Sequence, residues 1–131
     1  MTAQDTKILI VEDNVALSDL YCFKFEYEGF QVSRAHNGEI GLIKAESERP
    51  DIILLDLKMP VMDGEEMLEQ LREQEWGANM RVIILTNISK DEAPRSLRFL
   101  NVDRYIVKAH HTPAQIVEIV REILLIPSKA S

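Results

Sequence analysis

The chain has a single cysteine, Cys22, among its 131 residues. No intrachain disulfide can form, and such sparing use of cysteine points to a reducing compartment. There is no apolar run of about 18 residues, the length needed to cross a bilayer. The start, Met1-Thr2-Ala3-Gln4-Asp5, lacks the basic and hydrophobic regions of a secretory signal. A cytoplasmic protein without membrane attachment is therefore expected. Basic charge is also short, because 15 Lys and Arg against 22 Asp and Glu leave a formal net charge of -7. Phosphate-backbone binding needs a basic face, so direct nucleic-acid binding is not expected. What is present is ordinary globular composition, 46% apolar and 28% charged. This length suits one domain over residues 1–131, with a core at about 7–125 and a short tail at 126–131.

Lys7-Ile8-Leu9-Ile10-Val11 is a continuous apolar run that stops at Glu12-Asp13, the pattern of a strand buried on both faces. An amphipathic segment over 15–28 follows, with Leu17, Leu20, Tyr21, Phe25 and Tyr27 mostly at helical spacing and Gly29 as its stop. Residues 30–35 suit a shorter edge strand, ended by the turn dipeptide Asn37-Gly38, and 39–47 a second helix. Asp51-Ile52-Ile53-Leu54-Leu55-Asp56 is the next buried strand. A turn through Met59-Pro60-Val61-Met62-Asp63-Gly64 leads to a helix over 65–74. Residues 81–86 and 104–108 read as the fourth and fifth strands. Between them, Ser89-Lys90-Asp91-Glu92 resembles a capping box, but Pro94 clashes with a helix that begins there, so a helix starting near Asp91 is expected. The last helix has the best start signal, with Thr112 as N-cap, Pro113 at N1 and Gln115 at N3.

Strands alternating with helices five times predict an α/β fold, a doubly wound five-stranded parallel sheet of order 2-1-3-4-5 in a flavodoxin-like three-layer sandwich. That order opens a crevice at the carboxyl ends of strands 1 and 3, where ligands bind in open α/β sheets. The residues at those ends are Glu12-Asp13, Asp56, Thr86 and Lys108. Three carboxylates and one ammonium sum to -2, which a divalent cation would cancel. An all-oxygen site suits Mg²⁺ or Mn²⁺ rather than zinc. Such a site attracts a phosphoryl group, and a carboxylate held in line with it is a competent nucleophile.

These residues resemble a response-regulator receiver domain of two-component signalling, of the chemotaxis-regulator kind. The resemblance rests on Val11-Glu12-Asp13-Asn14, Leu55-Asp56-Leu57-Lys58-Met59-Pro60 with Asp63-Gly64, Leu85-Thr86, and Tyr105 three residues before Lys108. It runs from about 7 to 125. It implies Asp56 as phosphoacceptor, modified to 4-aspartylphosphate, with Glu12, Asp13, Asp56 and the backbone carbonyl of Lys58 holding Mg²⁺. Lys108 would pair with the phosphoryl oxygens, Thr86 would donate its hydroxyl to them, and Tyr105 would rotate as the switch aromatic. The implied function is a phosphorylation switch, not a conventional enzyme, served by a sensor histidine kinase or histidine phosphotransfer protein. Its output would pass to a downstream protein or through a homodimer across the fourth helix, fifth strand and fifth helix.

The sequence departs from the family pattern at Ala109, where proline usually follows the lysine, and at Asn87, where a small residue is usual. Two other functions share this topology. A flavodoxin-like cofactor-binding module needs a phosphate cradle in the first loop, and Glu12-Asp13 would repel a flavin phosphate. A metal-dependent phosphatase with Asp56 as nucleophile wants a second acid two residues later, and Lys58 stands there.

Overall fold

The computed structural model describes residues 2–127, so the last four residues of the expected tail lie outside the described residues. Five parallel strands form one sheet of order β2-β1-β3-β4-β5, as the alternation predicted: β1 (Lys7–Val11), β2 (Gln31–Ala35), β3 (Ile52–Leu55), β4 (Arg81–Thr86) and β5 (Arg104–Val107). Four α-helices cover it: α1 (Val15–Tyr27), α2 (Gly38–Glu48), α3 (Gly64–Glu73) and α4 (Pro113–Leu124).

The strand sequences read as unbroken apolar runs because each face has its own layer to fill. Side chains alternate across the sheet. Ile8, Ile10, Ile52, Leu54, Ile83, Leu85 and Ile106 therefore meet Tyr21, Phe25, Ile116 and Val120 of α1 and α4. The intervening Leu9, Val11, Ile53, Leu55, Val82 and Ile84 meet Ala45, Met67, Leu68 and Leu71 of α2 and α3. Cys22 is buried in the first layer as a packing thiol. Among the described residues, no helix is long and apolar enough to cross a membrane.

Helix starts follow side-chain capping. Asn14, Asn37, Asp63 and Thr112 each accept a hydrogen bond from the backbone three residues on, and Gln115 closes the expected capping box at α4. Asn37-Gly38 thus opens α2 rather than only ending β2. The reading of α1 also needs correction, because Leu20 and Tyr27 are exposed, beside Phe23 on the outer face. The inner face is Tyr21, Cys22 and Phe25.

The largest departure lies between β4 and β5, where no α-helix forms. Two 3-10 turns, Lys90–Glu92 and Arg95–Phe99, replace it. Pro94 explains the break. Its ring disfavours the helical region for the preceding residue, and Ala93 takes extended backbone at φ -66°, ψ 148°. Proline also has no N–H to continue a ladder. The homodimer face expected around the fourth helix therefore contains turns instead. This segment is tied to α3 by the Ser96 hydroxyl on Glu65 and by Arg72. Arg72 donates to the carbonyls of Leu100 at 2.7 Å, Asn101 at 2.8 Å, Gly77 at 2.8 Å and Met80 at 2.7 Å.

Candidate functional site

The parallel register builds the site. Val11 of β1 is paired with Leu55 of β3, so the residues that follow them, Glu12 and Asp56, leave the sheet side by side. Their backbones stay anchored, with the Glu12 N–H on the Ala35 carbonyl at 2.9 Å and the Asp56 N–H on the Val11 carbonyl at 3.1 Å. Thr86 is the last residue of β4, paired with Val107, and Lys108 follows at once. The strand-end residues anticipated from the sequence thus share one rim.

Glu12, Asp56 and Thr86 are buried at 3%, 7% and 1% exposure, whereas Asp13 is exposed. Lys108 bridges the two buried carboxylates, with Nζ 2.8 Å from Asp56 Oδ2 and in close contact with Glu12 Oε1. The other Asp56 oxygen accepts the Leu57 N–H at 2.7 Å, and the other Glu12 oxygen accepts the Asn14 N–H at 3.1 Å. Burial pushes the Glu12 carboxyl above its usual range, against the opposing hydrogen bonds of Lys108 and the Asn14 amide. Burial would lower the Lys108 ammonium, but the hydrogen bonds of Asp56 and Glu12 outweigh it and hold the pKa above its ordinary value.

One carboxylate oxygen from each of Glu12, Asp13 and Asp56 lies within 4.8 Å of the others. Three hard oxygen donors with one facing ammonium fit a divalent cation of the Mg²⁺ type. An opening of about 410 Å³ beside them is walled by Asp56, Lys58, Thr86, Asn87 and Lys108, among others. Thr86 Oγ1 lies 3.4 Å from the Ile88 N–H, and the Tyr105 hydroxyl donates to the Ile88 carbonyl at 2.7 Å. Tyr105 is half-buried, and burial raises its phenol pKa.

Two backbone features that the sequence left unmarked shape the loop after Asp56. A Cβ at Gly64 would sit 2.1 Å from the Asp56 carbonyl oxygen, so only glycine lets α3 start against the end of β3. Val61 is in the left-handed region at φ 70°, an unusual place for a β-branched residue. The peptide before Ala109 is trans, as no cis bond occurs among the described residues.

Such a rim of acids and lysine on a 2-1-3-4-5 sheet defines a class, and comparison with known proteins agrees. The sequence profile of the response regulator receiver domain matches residues 8–121, and the chain belongs to that family. It is 35% identical over 119 residues to the alkaline phosphatase synthesis transcriptional regulatory protein PhoP of Bacillus subtilis, covering 90% of this chain and 48% of that protein. It is 44% identical over 80 residues to sporulation initiation phosphotransferase F of the same organism, covering 61% of this chain and 63% of that protein. The chain spans about half the length of the transcriptional regulators it matches. A CheY-like receiver domain protein from Methanospirillum hungatei superposes with a TM-score of 0.81 at 33% identity, covering 91% of this chain and 93% of that one. The receiver domain of sensor histidine kinase PA1611 from Pseudomonas aeruginosa, solved with magnesium in its active-site cleft, superposes with a TM-score of 0.78 at 26% identity, over 89% and 95% of the two chains.

Proposed function

We propose that Asp56 accepts a phosphoryl group from a phosphohistidine of a sensor histidine kinase or histidine phosphotransfer protein. One observation carries the proposal: a buried carboxylate at the mouth of the central strand, 2.8 Å from a lysine ammonium, with two more carboxylates converging on it. The Asp56 carboxylate attacks phosphorus, a P–O bond forms, and the P–N bond to the donor imidazole breaks with its electron pair leaving on nitrogen. Lys108 stays paired with charge throughout, moving its interaction from carboxylate to phosphoryl oxygens. Thr86 donates its hydroxyl to the phosphoryl group, and Tyr105 releases the Ile88 carbonyl as the segment after Thr86 adjusts.

Glu12, Asp13, Asp56 and the Lys58 backbone carbonyl would hold Mg²⁺ or Mn²⁺, which supplies charge neutralisation at the phosphoryl oxygens. Hydrolysis of the aspartyl phosphate by water returns the resting carboxylate. The protein then acts on no substrate but itself, and its signal is a changed surface read by a downstream protein in the cytoplasm or by a second copy. Intact-mass spectrometry after incubation with Mg²⁺ and acetyl phosphate tests this. One phosphoryl group is expected on the wild type and none on Asp56→Asn, and an unmodified wild type would sink the proposal.

A further inference from the structure

Glu12, Asp56 and Lys108 stand two residues beyond Ile10, Leu54 and Ile106, which fill the layer between the sheet and helices α1 and α4. The pleat therefore brings their side chains out on that side, whereas Thr86, two residues beyond Ile84, continues the other layer. One polar side chain of the first layer takes no part in the reaction proposed above. Tyr21 of α1 is 4% exposed. A long helical side chain leans toward the N-terminus of its helix, and α1 begins at the rim, directly after Glu12-Asp13-Asn14. That lean carries the phenol toward the underside of the Lys108 bridge. Burial raises the phenol above its ordinary range, and the charges of Lys108, Glu12 and Asp56 all reach it. Buried tyrosine hydroxyls usually find a partner, yet that of Tyr21 makes no hydrogen bond among the described residues. Lys108 has the complementary deficit. An ammonium has three N–H groups; two face Glu12 and Asp56, and no described residue takes the third.

We infer that Tyr21 is a positioning residue for Lys108: one water, bonded to the Tyr21 hydroxyl and to the third N–H of the ammonium, tethers the lysine from below. A bridging water costs little when both of its partners otherwise go unpaired. The tether matters because Lys108 exchanges its anionic partners during transfer, leaving an Asp56 oxygen for phosphoryl oxygens. A neutral hydroxyl keeps the same charge throughout and holds the ammonium while those partners change. It touches no phosphoryl oxygen itself, so it acts on placement and not on the binding of donor or metal. The kinetic part of this inference rests on the reaction proposed for Asp56, and the tether does not.

The test is Tyr21→Phe, which keeps the ring and removes only the hydroxyl. The control is Tyr27→Phe, on the outer face of the same helix, where the tyrosine is 66% exposed. The full chain is labelled with ¹⁵N at its lysine side chains, and the Lys108 ammonium signal is identified by its loss in Lys108→Met. That signal should be observable in the wild type, because the side chain is 8% exposed and held by carboxylates. In Tyr21→Phe it should shift and exchange with solvent about threefold faster or more, and in Tyr27→Phe it should stay as it is. Intact mass followed over time with acetyl phosphate and Mg²⁺ gives the second readout. The maximal rate of phosphorylation should fall about three- to tenfold in Tyr21→Phe, the size of one lost hydrogen bond. The half-saturating concentrations of donor and metal should stay within about twofold.

Three spectral results would overturn the tether: a Lys108 ammonium that exchanges too fast to observe in the wild type, a signal indifferent to loss of the Tyr21 hydroxyl, or an equal response to Tyr27→Phe, which means that the changes act through the packing of α1. Two kinetic results would overturn the positioning role: an unchanged maximal rate in Tyr21→Phe, or a loss confined to the half-saturating concentrations. Wild type that takes up no phosphoryl group refutes the Asp56 reaction instead, and the ammonium signals then decide the tether by themselves.

Discussion

Replacing Lys108 by Met should cost about 3 kcal/mol of stability at neutral pH and less than about 1 kcal/mol near pH 5. The substitution keeps an unbranched apolar stem of similar length but removes the cation that bridges Glu12 and Asp56, both under a tenth exposed. Leaving a buried carboxylate pair without its cation is costly, of order 3 to 5 kcal/mol. Protonation sets a ceiling on that cost. Glu12, already raised by burial and now without the Lys108 hydrogen bond, can take up a proton instead. From its unfolded value of 4.5, at about 1.4 kcal/mol per pH unit, neutralising it costs about 3.4 kcal/mol at pH 7 and about 0.7 kcal/mol at pH 5.

The sign follows from linkage. A carboxyl raised in the folded state favours folding below its unfolded value, and that favour is lost as pH rises through its folded value. In the wild type the raised Lys108 behaves alike at the alkaline end, its contribution present below its ordinary value of 10.5 and lost as pH rises through the higher folded one. Urea unfolding at pH 5 and pH 7, followed by the fluorescence of half-buried Trp76, measures the difference. A loss that is the same at both pH values, or no loss at pH 7, would refute the reasoning. Adding Glu12→Gln to Lys108→Met should restore most of the stability at pH 7, because one buried charge no longer needs a partner.

Three further outcomes can be checked on single variants. Gly64→Ala places a Cβ 2.1 Å from the Asp56 carbonyl oxygen and should lower stability by more than about 3 kcal/mol, read by thermal unfolding. Val61→Asn should raise stability by about 1 kcal/mol, since asparagine tolerates the left-handed backbone at φ 70° and the 75% exposed valine gives up little packing. Pro94→Ala should increase the far-ultraviolet helical signal, as the break between the two 3-10 turns loses its cause, and an unchanged spectrum would place the cause elsewhere.

The sheet order and the rim were legible because the strands are buried on both faces. Each apolar run ended abruptly, and the first polar residue after it marked the crevice, as at Val11 to Glu12 and Leu55 to Asp56. Other features were hidden for separable reasons. Helix α1 carries apolar side chains around much of its circumference, so spacing alone could not say that Tyr21, Cys22 and Phe25 face inward while Leu20, Phe23 and Tyr27 face out. Pro94 only shifts the expected helix start to near Asp91 when judged by its own clash, whereas its effect on Ala93 removes the helix altogether. Asn37 and Asp63 had the chemistry of N-caps, but their neighbours Gly38 and Gly64 made them look like turn residues. The Lys108 bridge to Glu12 depends on two strands that are not sequence neighbours, and no local pattern encodes it.

Arg72 has a consequence for how the molecule opens. One guanidinium holds carbonyls from the run after α3 and from the run into β5, at Gly77, Met80, Leu100 and Asn101. Nη1 serves Gly77 and Met80 while Nε and Nη2 serve Leu100 and Asn101, so neither run can detach without freeing N–H groups of the guanidinium that also holds the other. Amides protected in residues 77–80 and 100–103 should therefore exchange with solvent as one cooperative unit. A lysine at this position would carry the charge but not the planar fork, and the two runs would then exchange independently.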